Sequence, residues 1–568
     1  MTREWIAPLF VAACLAAAPA AAQQRRAGSS GALKGGLPSV AVSSDQLSLP
    51  PRGDVPPPGH RLSARRAGRI AARLGKVRDA RRKYPGNTRQ VFLKGSDRWQ
   101  VSYFAKVPPG APRNEIAQVL IADRGGTVLE AWTGFQVAWT MARGYPGAFG
   151  RIVNAPWVWI PLSVLFVLPF VDPRRPWRIL HLDLLVLSAF SASLAFFNAA
   201  EIGTSVPLAY PLLAYLLGRM LWIGLRRSGA TEQQGRPLKL LVPVTWLAIG
   251  LIFLLGFRVA LNVTNSNVID VGYAGVIGAD RIVDGHRLYG AFPPDNASGD
   301  TYGPVVYESY VPFEQMLPWS GTWDDLPAAH GAALLFDLLA CLLCFLVGRR
   351  VRGPDLGIVM AYAWAAYPFT LYVQMSNAND ALVAALVLAA LWAAGSARGR
   401  GAFVALAGLT KFAPLALAPL FAAHPRPRVR SIAWFAAGFA VAALLAFAPI
   451  LPHNGLRAFW DHTIAFQANR GSPFSIWGLY DPDVGWLDVA QHAVQVAGAA
   501  LAVALAFVPR RRDVVGLAAC AAAIVLALQL GVTHWFYLYI PWFFPLVMLA
   551  LVGRFGPPAA AAAAARSA

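Results

Sequence analysis

The chain has 568 residues, of which 56% are hydrophobic and only 14% are charged. This composition excludes an ordinary soluble protein, because the polar residues could not cover its surface, and it predicts helices that face lipid or pack in a bundle. The formal net charge is +21, but residues 25–130 hold 20 Lys and Arg against 7 Asp and Glu, whereas residues 262–327 hold 2 against 9. A basic segment and an acidic loop indicate two parts with different tasks.

The first 60 residues carry the signals of an exported protein. Residues 1–22 combine Arg3 with an apolar run and Ala20-Ala21-Ala22, which predicts a signal peptide with a small-residue cleavage site; an uncleaved anchor is the alternative. Residues 23–60 are rich in Gly, Pro and Ser and predict a flexible linker. Whether the signal is cleaved or retained, the next segment of the chain is expected outside the cytoplasm.

Residues 61–145 predict a small α+β extracytoplasmic domain. Apolar residues recur at helical spacing through the basic segment 61–83. Strand-like runs come next, and Asp123-Arg124-Gly125-Gly126 predicts a hairpin turn between the last two; the runs are Gln90–Leu93, Trp99–Phe104, Ala117–Ile121 and Thr127–Trp132. A helix followed by a small antiparallel sheet resembles the PepSY-type domain, and VLIADRGGTVLEAW is similar to its terminal hairpin.

Residues 150–553 predict an α-helical polytopic membrane domain with about eleven transmembrane helices, followed by an Ala-rich cytoplasmic tail at 554–568. The spans are expected at 153–171, 179–198, 206–225, 240–261, 328–348, 356–374, 379–395, 431–451, 489–508, 514–532 and 535–553. Alternation from an exported N-terminus keeps the Arg-rich short loops cytoplasmic until residues 402–422. If that segment is a re-entrant hairpin broken near Lys411–Pro414, the basic run Arg426–Arg430 also stays cytoplasmic.

Asp270 is the first candidate for chemistry, because it comes soon after the predicted span 240–261 and should lie near the membrane surface. A partly buried carboxylate there is suited to act as a general base. The alternative is that Asp270 only caps a helix over Val271–Val283. Asp380, in a short polar turn, either orients a substrate or caps a helix that starts at Ala381, and capping is the favoured interpretation.

Three basic residues are candidates for binding an anion. Lys411 lies within the predicted re-entrant hairpin, where an ionisable residue is costly and therefore functional by default; snorkelling to the headgroups is the alternative. His534 precedes an aromatic run and is interpreted as a phosphate or sugar ligand, or else as part of an interfacial belt. Arg470 offers a bidentate phosphate contact. The candidate sugar or acceptor contacts are Tyr273, Tyr302, Glu314, Gln315, Asn469, Ser475 and Trp477.

The pattern Asp270, Tyr273, Ala279, Gly285 and Tyr289 resembles the first extracytoplasmic loop of the GT-C superfamily, closest to glycosyltransferase family 87. Thr301-Tyr302-Gly303-Pro304 is similar to that family's Tyr-Pro-Pro turn, with Gly303 in place of one proline. The resemblance implies a polyprenyl-phosphate-sugar-dependent transferase with Asp270 as catalytic base and Lys411 and His534 at the donor phosphate. It implies a hexose or pentose donor such as mannose and a glycan or glycolipid acceptor.

From the sequence we expect no nucleotide cofactor, since no Gly-rich phosphate-binding loop is present, and no metal, since the acids of the loop 262–327 show no D-x-D or two-His spacing. We also expect inversion at the anomeric carbon and no nucleic-acid partner. The site would face outward from a bacterial inner membrane. A lipid or glycan transporter or flippase is the alternative from another class, but such proteins more often show internal repeats with paired broken helices. The chain shows no such repeat.

Overall fold

The computed structural model describes residues 47–108, 113–144, 149–226, 238–452, 455–480, 485–509 and 511–555. It divides into two units, Met1–Val137 and Ala138–Ala568. The predicted signal peptide, most of the predicted linker and nearly all of the Ala-rich tail lie outside the described residues.

The first unit is an antiparallel sheet with two helices on it. The strands lie in sequence order, β1-β2-β3-β4-β5. All four predicted strands are confirmed, and a fifth forms where Leu47–Ser48, within the predicted linker, pairs with β2. The elements are β1 (Leu47–Ser48), α1 (Ala64–Ala72), α2 (Gly75–Lys83), β2 (Thr88–Lys94), β3 (Arg98–Phe104), β4 (Glu115–Ala122) and β5 (Val128–Thr133).

The predicted hairpin turn also forms, with Gly125 and Gly126 both at positive φ, where glycine avoids the steric cost of a side chain. The single helix predicted here is divided into two helices, because the first helix ends at Ala72. The buried faces of α1 and α2 pack on Trp99, Val101 and Val119 of the sheet. Their outer faces carry exposed Arg and Lys side chains, so this unit has its own apolar core and a basic exterior.

The second unit is built from helices. They are α3 (Pro156–Val167), α4 (Ile179–Asn198), α5 (Ile202–Leu225), α6 (Val244–Asn265), α7 (Asp270–Val283), α8 (Pro304–Met316), α9 (Pro327–Arg352), α10 (Pro354–Ala366), α11 (Pro368–Met375), α12 (Asp380–Trp392), α13 (Ala397–Gly408), α14 (Ala418–Ala423), α15 (Val429–Phe447), α16 (Trp486–Ala504), α17 (Val514–Gly531) and α18 (Ile540–Val552). Among the described residues, seven helices are long and apolar enough to cross a membrane.

The predicted count of eleven spans is therefore not confirmed. The segment predicted at 356–374 bends by 57° between α10 and α11, at Pro368, and makes an eighth span only if both pieces are counted together. The segments predicted at 153–171, 379–395 and 535–553 form shorter apolar helices. The seven long helices are α4, α5, α6, α9, α15, α16 and α17.

The segment predicted to be re-entrant doubles back on itself. Helix α13 ends just before Lys411, and a short 3-10 turn over Ala413–Leu417 leads into α14. Arg400, at the start of α13, donates hydrogen bonds to the carbonyls of Phe421 (2.9 Å) and His424 (2.8 Å), at the end of α14. The two ends of the segment therefore lie together, and Lys411 lies at its far tip.

Several of the predicted cytoplasmic arginines gather at one end of this unit, which we call the basic end. Arg352 donates to the carbonyl of Gly553 at 2.8 Å, and Arg178 lies over the ring of Phe555. A small cleft at this end is lined by His424 and Arg511. The positive-inside rule requires that the arginine-rich loops lie on the same side of the membrane, and their position at one end of the unit agrees with that rule.

Among the described residues of this unit, two arginine–aspartate ion pairs are buried between long helices. Asp183 of α4 accepts from the Nε of Arg219 of α5 through both carboxylate oxygens, at 3.0 and 3.2 Å. Arg258 of α6 binds both oxygens of Asp337 of α9. Each acid is fully buried, so removing one partner alone would leave an uncompensated charge.

Candidate functional site

Asp270 is the first residue of α7, a helix with a face of glycines. A β-carbon at Gly272 would lie 2.3 Å from the carbonyl oxygen of Asn377, and one at Gly275 would lie 2.6 Å from the ring of Tyr310. One at Gly278 would lie 2.1 Å from the ring of Tyr307. The spacing of three residues keeps these glycines on one side of the helix, where they allow close packing. The glycines thereby fix the position of α7, whose first residue is Asp270.

Gly278→Ala is expected to lower the thermal stability of the purified protein, since overpacking costs about 1–3 kcal/mol. The matched control is Gly218→Ala in α5, where an added β-carbon meets no atom within 4 Å. That substitution should be neutral or slightly stabilising, because alanine is the better helix former. A Gly278→Ala protein that melts at the control's temperature would contradict the close packing.

The turn between α11 and α12 is anchored on the end of α6. Asn377, at φ 49°, donates to Ser266 Oγ and to the carbonyl of Asn267, both at 3.0 Å. Its Oδ1 accepts from Asn262 at 2.9 Å. The same turn contacts Gly272 of α7. The turn that leads into Asp380 is thus fixed to the end of α6 and packs against the first turn of α7, which begins at Asp270.

Lys411 at the hairpin tip forms an ion pair with Asp380. Its Nζ lies 2.6 Å from Asp380 Oδ1, which also accepts from Trp542 Nε1 at 3.0 Å. The ammonium lies 5.3, 5.7 and 5.5 Å from the ring centroids of Tyr302, Tyr539 and Trp542. Lys411 therefore does not snorkel to the basic end; it is fixed by one carboxylate and three aromatic faces.

The turn before α8 rests directly on the hairpin tip. The N–H groups of Gly303 and Val305 donate to the carbonyls of Thr410 and Leu409, each at 3.3 Å. A β-carbon at Gly303 would lie 1.8 Å from the Leu409 oxygen. The close approach explains why glycine stands at this position. It also brings the ring of Tyr302 against Lys411.

Arg470 and His534 lie beside this group. The guanidinium of Arg470 is 5.8 Å from the ring of Trp139 and 5.9 Å from that of Phe466. His534 Nδ1 is 2.9 Å from Ser472 Oγ. Burial lowers the pKa of His534 well below its usual value, and the charges of Arg470 and Lys411 lower it further. The imidazole is therefore neutral and offers a hydrogen bond rather than a charge.

Asp270 lies within electrostatic range of both cations. Its carboxylate is solvent-accessible, yet protein surrounds it, and the resulting desolvation raises its pKa above the usual value. The positive charges of Arg470 and Lys411 oppose that shift without cancelling it. The hydroxyl of Tyr302 also lies within electrostatic range of Asp270, Arg470 and Asp380. An accessible acid and a pair of cations therefore share one site.

The structure brings together Asp270, Tyr302, Lys411, Arg470 and His534 among the sequence-predicted candidates. The other candidates have different surroundings. Tyr273 donates to Asp295 at 3.3 Å and packs against Trp323. Glu314 accepts from the backbone of Trp319, and its charged neighbours are Asp280 and Asp284; Gln315 is exposed.

Two more of those candidates hold the loop after α15 in place. Ser475 caps a short helix by accepting from Gly478, and Trp477 donates to the carbonyl of Leu530 at 2.8 Å. The hydroxyl of Ser475 and the indole N–H of Trp477, which were predicted to contact a sugar, therefore bind the protein backbone instead. The side chain of Asn469 lies outside the described residues.

The interpretation of Asp380 as a helix cap is wrong. Asn379 occupies the cap position without a side-chain cap bond, and the carboxylate of Asp380 turns instead to Lys411 and Trp542. A signal was present in the sequence: an acid and a lysine, each in an apolar segment, cost less as a pair than apart. Tyr539 and Trp542, which belong to the aromatic run after His534, lie at the same ion pair.

Residues 301–531 match the model of glycosyltransferase family 87. The family 87 match contains Tyr302, Asp380, Lys411 and Arg470, whereas Asp270 and His534 lie outside it on either side. No curated protein matches the chain. The match and the apolar helices together support a multi-pass membrane glycosyltransferase, an enzyme that needs a sugar donor and an acceptor. The N-terminal unit lies outside the matched residues, and its resemblance to the PepSY-type domain is not confirmed.

Proposed function

We propose that the chain is an inverting glycosyltransferase that takes its sugar from a polyprenyl-phosphate donor and works on the extracytoplasmic face of a bacterial inner membrane. The observation that carries the proposal is the shared location of an accessible carboxylate, Asp270, and two cations, Lys411 and Arg470. A glycosyl transfer from a phosphate needs a base for the incoming hydroxyl and positive charge for the outgoing phosphate. The site offers both.

In the proposed reaction the acceptor hydroxyl attacks the anomeric carbon of the donor sugar. The new bond joins the acceptor oxygen to that carbon, and the bond between the carbon and the phosphate oxygen breaks on the opposite face. The acceptor's proton passes to Asp270, and the electron pair of the broken bond stays on the polyprenyl phosphate. Asp270 returns the proton to water after the product leaves.

Each cation has a different part in holding the phosphate. Arg470 makes no ion pair with a carboxylate within the part of the chain that the structure describes, so its planar guanidinium is available for a bidentate phosphate contact. Lys411 supplies a point charge from the hairpin tip. His534, being neutral, adds a hydrogen bond without adding to the charge.

The direct test is transfer by the purified protein in lipid nanodiscs. Polyprenyl phosphates that carry different radiolabelled hexoses and pentoses are supplied one at a time, with membrane glycolipids as acceptors. The expected result is label in a glycolipid together with one equivalent of released polyprenyl phosphate. Movement of an intact labelled donor between leaflets, with no bond broken, would instead establish a flippase and overturn the proposal.

Orientation is tested by cysteine labelling in intact cells. We expect Arg428→Cys, in the exposed run after the hairpin, to resist a membrane-impermeant thiol reagent added outside. Arg457→Cys, exposed in the loop after α15, is the matched control and should react readily. The native Cys341, Cys344 and Cys520 are buried and should not react. The fourth cysteine, Cys14, is replaced by serine in both variants. Ready labelling at position 428 would contradict the proposed orientation.

A further inference from the structure

The ion pair between Lys411 and Asp380 differs from the two buried arginine–aspartate pairs described above. Asp183 and Asp337 are each held by a guanidinium through both carboxylate oxygens. Asp380 binds Lys411 through Oδ1 alone, and its Oδ2 has no hydrogen-bond partner among the described residues. In the pair of Arg258 and Asp337 two guanidinium nitrogens each bind one carboxylate oxygen, which locks the geometry, whereas an ammonium is a point charge that exchanges partners easily.

The surroundings of Lys411 make such an exchange feasible. Its side chain keeps about 10% of its surface accessible, whereas Asp380 is fully buried. Three aromatic rings within 5.7 Å of the ammonium stabilise a cation whether or not the carboxylate is in contact. The lysine can therefore turn toward a ligand while Asp380, at the start of α12, stays in place.

The chemistry of the proposed donor supplies a reason for the exchange. A sugar–polyprenyl phosphodiester carries one negative charge, and the polyprenyl phosphate left after transfer carries up to two. The attraction of the two cations for the phosphate therefore grows as the bond breaks. That growth stabilises the transition state, but it also holds the product, which must leave before the next turnover.

We propose that Asp380 is a positioning residue that competes with the phosphate for Lys411. It holds the ammonium at the hairpin tip in the empty site, shares it with the donor phosphate when the donor arrives, and regains it fully as the product departs. The inference rests on the proposed function and extends it to product release. Asp380 itself touches neither the sugar nor the acceptor.

The test is product inhibition, measured with added polyprenyl phosphate during steady-state transfer by the full-length protein in nanodiscs. In Asp380→Asn the inhibition constant of the polyprenyl phosphate should fall by about tenfold or more, since Lys411 no longer has an anion to return to. The single-turnover rate should change far less than the steady-state rate. Asp380→Glu keeps the negative charge and should restore much of the wild-type inhibition constant.

Matched variants separate this role from a loss of folding. Asp337→Asn removes the carboxylate of another buried pair; it should reduce the yield of folded protein but leave the inhibition constant unchanged. The effect of Asp380→Asn should also vanish in a Lys411→Met background, because there is no ammonium to exchange. If Asp380→Asn cannot be purified, Trp542→Phe takes its place. This variant removes the hydrogen bond that orients Asp380 Oδ1 and should also lower the inhibition constant of the polyprenyl phosphate.

The possible outcomes distinguish the two proposals. A wild-type protein that transfers no sugar from any polyprenyl phosphate defeats the proposed function itself. A wild-type protein that transfers sugar, with an inhibition constant equal in Asp380→Asn or in its Trp542→Phe substitute, defeats only the inference about Asp380. An equal tightening in Asp337→Asn would do the same, because it would indicate a general effect of lost buried charge.

Discussion

Asp270→Asn is expected to lower the rate of sugar transfer by about a thousandfold, within the range that a lost general base usually costs. The amide has the same shape but cannot accept the proton of the attacking hydroxyl. Because the Asp270 side chain is solvent-accessible and makes no buried ion pair among the described residues, the variant should fold and insert like the wild type. Initial rates of label transfer in nanodiscs, normalised to folded protein, measure the effect.

The control is Asp284→Asn, an exposed acid in the same loop, which should keep its activity. The pH profile supplies a second check. The base must be ionised, so activity should fall as the pH drops through the pKa of Asp270, and desolvation places that fall at a higher pH than for an ordinary carboxyl group. Full activity in Asp270→Asn would exclude this residue as the base.

Lys411→Met is expected to have two effects at once. It removes positive charge from the leaving phosphate, which should slow transfer by about a hundredfold or more. It also leaves Asp380 buried without its counter-ion, which should destabilise the protein by about 3–5 kcal/mol. Transfer rates together with thermal unfolding in detergent measure both effects.

The double variant Lys411→Met/Asp380→Asn separates them. With both charges gone, most of the lost stability should return, because a neutral pair carries no uncompensated charge. The transfer rate should stay low, since the phosphate still lacks its cation. Recovery of activity along with stability would assign Lys411 a structural role only.

Much of the fold was predictable because strands, turns and helix breaks are determined by residues that are close together in the sequence. Alternating apolar residues predicted the strands β2 to β5, and Gly125 and Gly126 predicted the turn between the last two. A proline and a lysine within an apolar segment predicted the break at Lys411. Local periodicity did not predict how long each membrane helix would be, so α3, α12 and α18 are shorter than the expected spans.

The candidate site was predictable only where a residue type is energetically costly at its place in the sequence. Asp270 and Lys411 were found because a charged group beside or within an apolar segment needs a reason. Asp380 was misassigned because its partner is 31 positions away in the chain and meets it only through the folded hairpin. Ser475 and Trp477 have sugar-binding chemistry, but their polar atoms are used by nearby backbone, which composition does not reveal.

The two backbone hydrogen bonds between the Gly303 turn and the hairpin tip have a mechanical consequence. They join the stretch of chain after Asp270 to the stretch that carries Lys411, so neither can shift along the membrane normal without the other. Lengthening the hairpin by one residue would therefore displace the lysine and strain the Tyr302 turn together. Variation among relatives in the position of the hairpin tip should then appear as paired insertions in both segments, and seldom as an insertion in one.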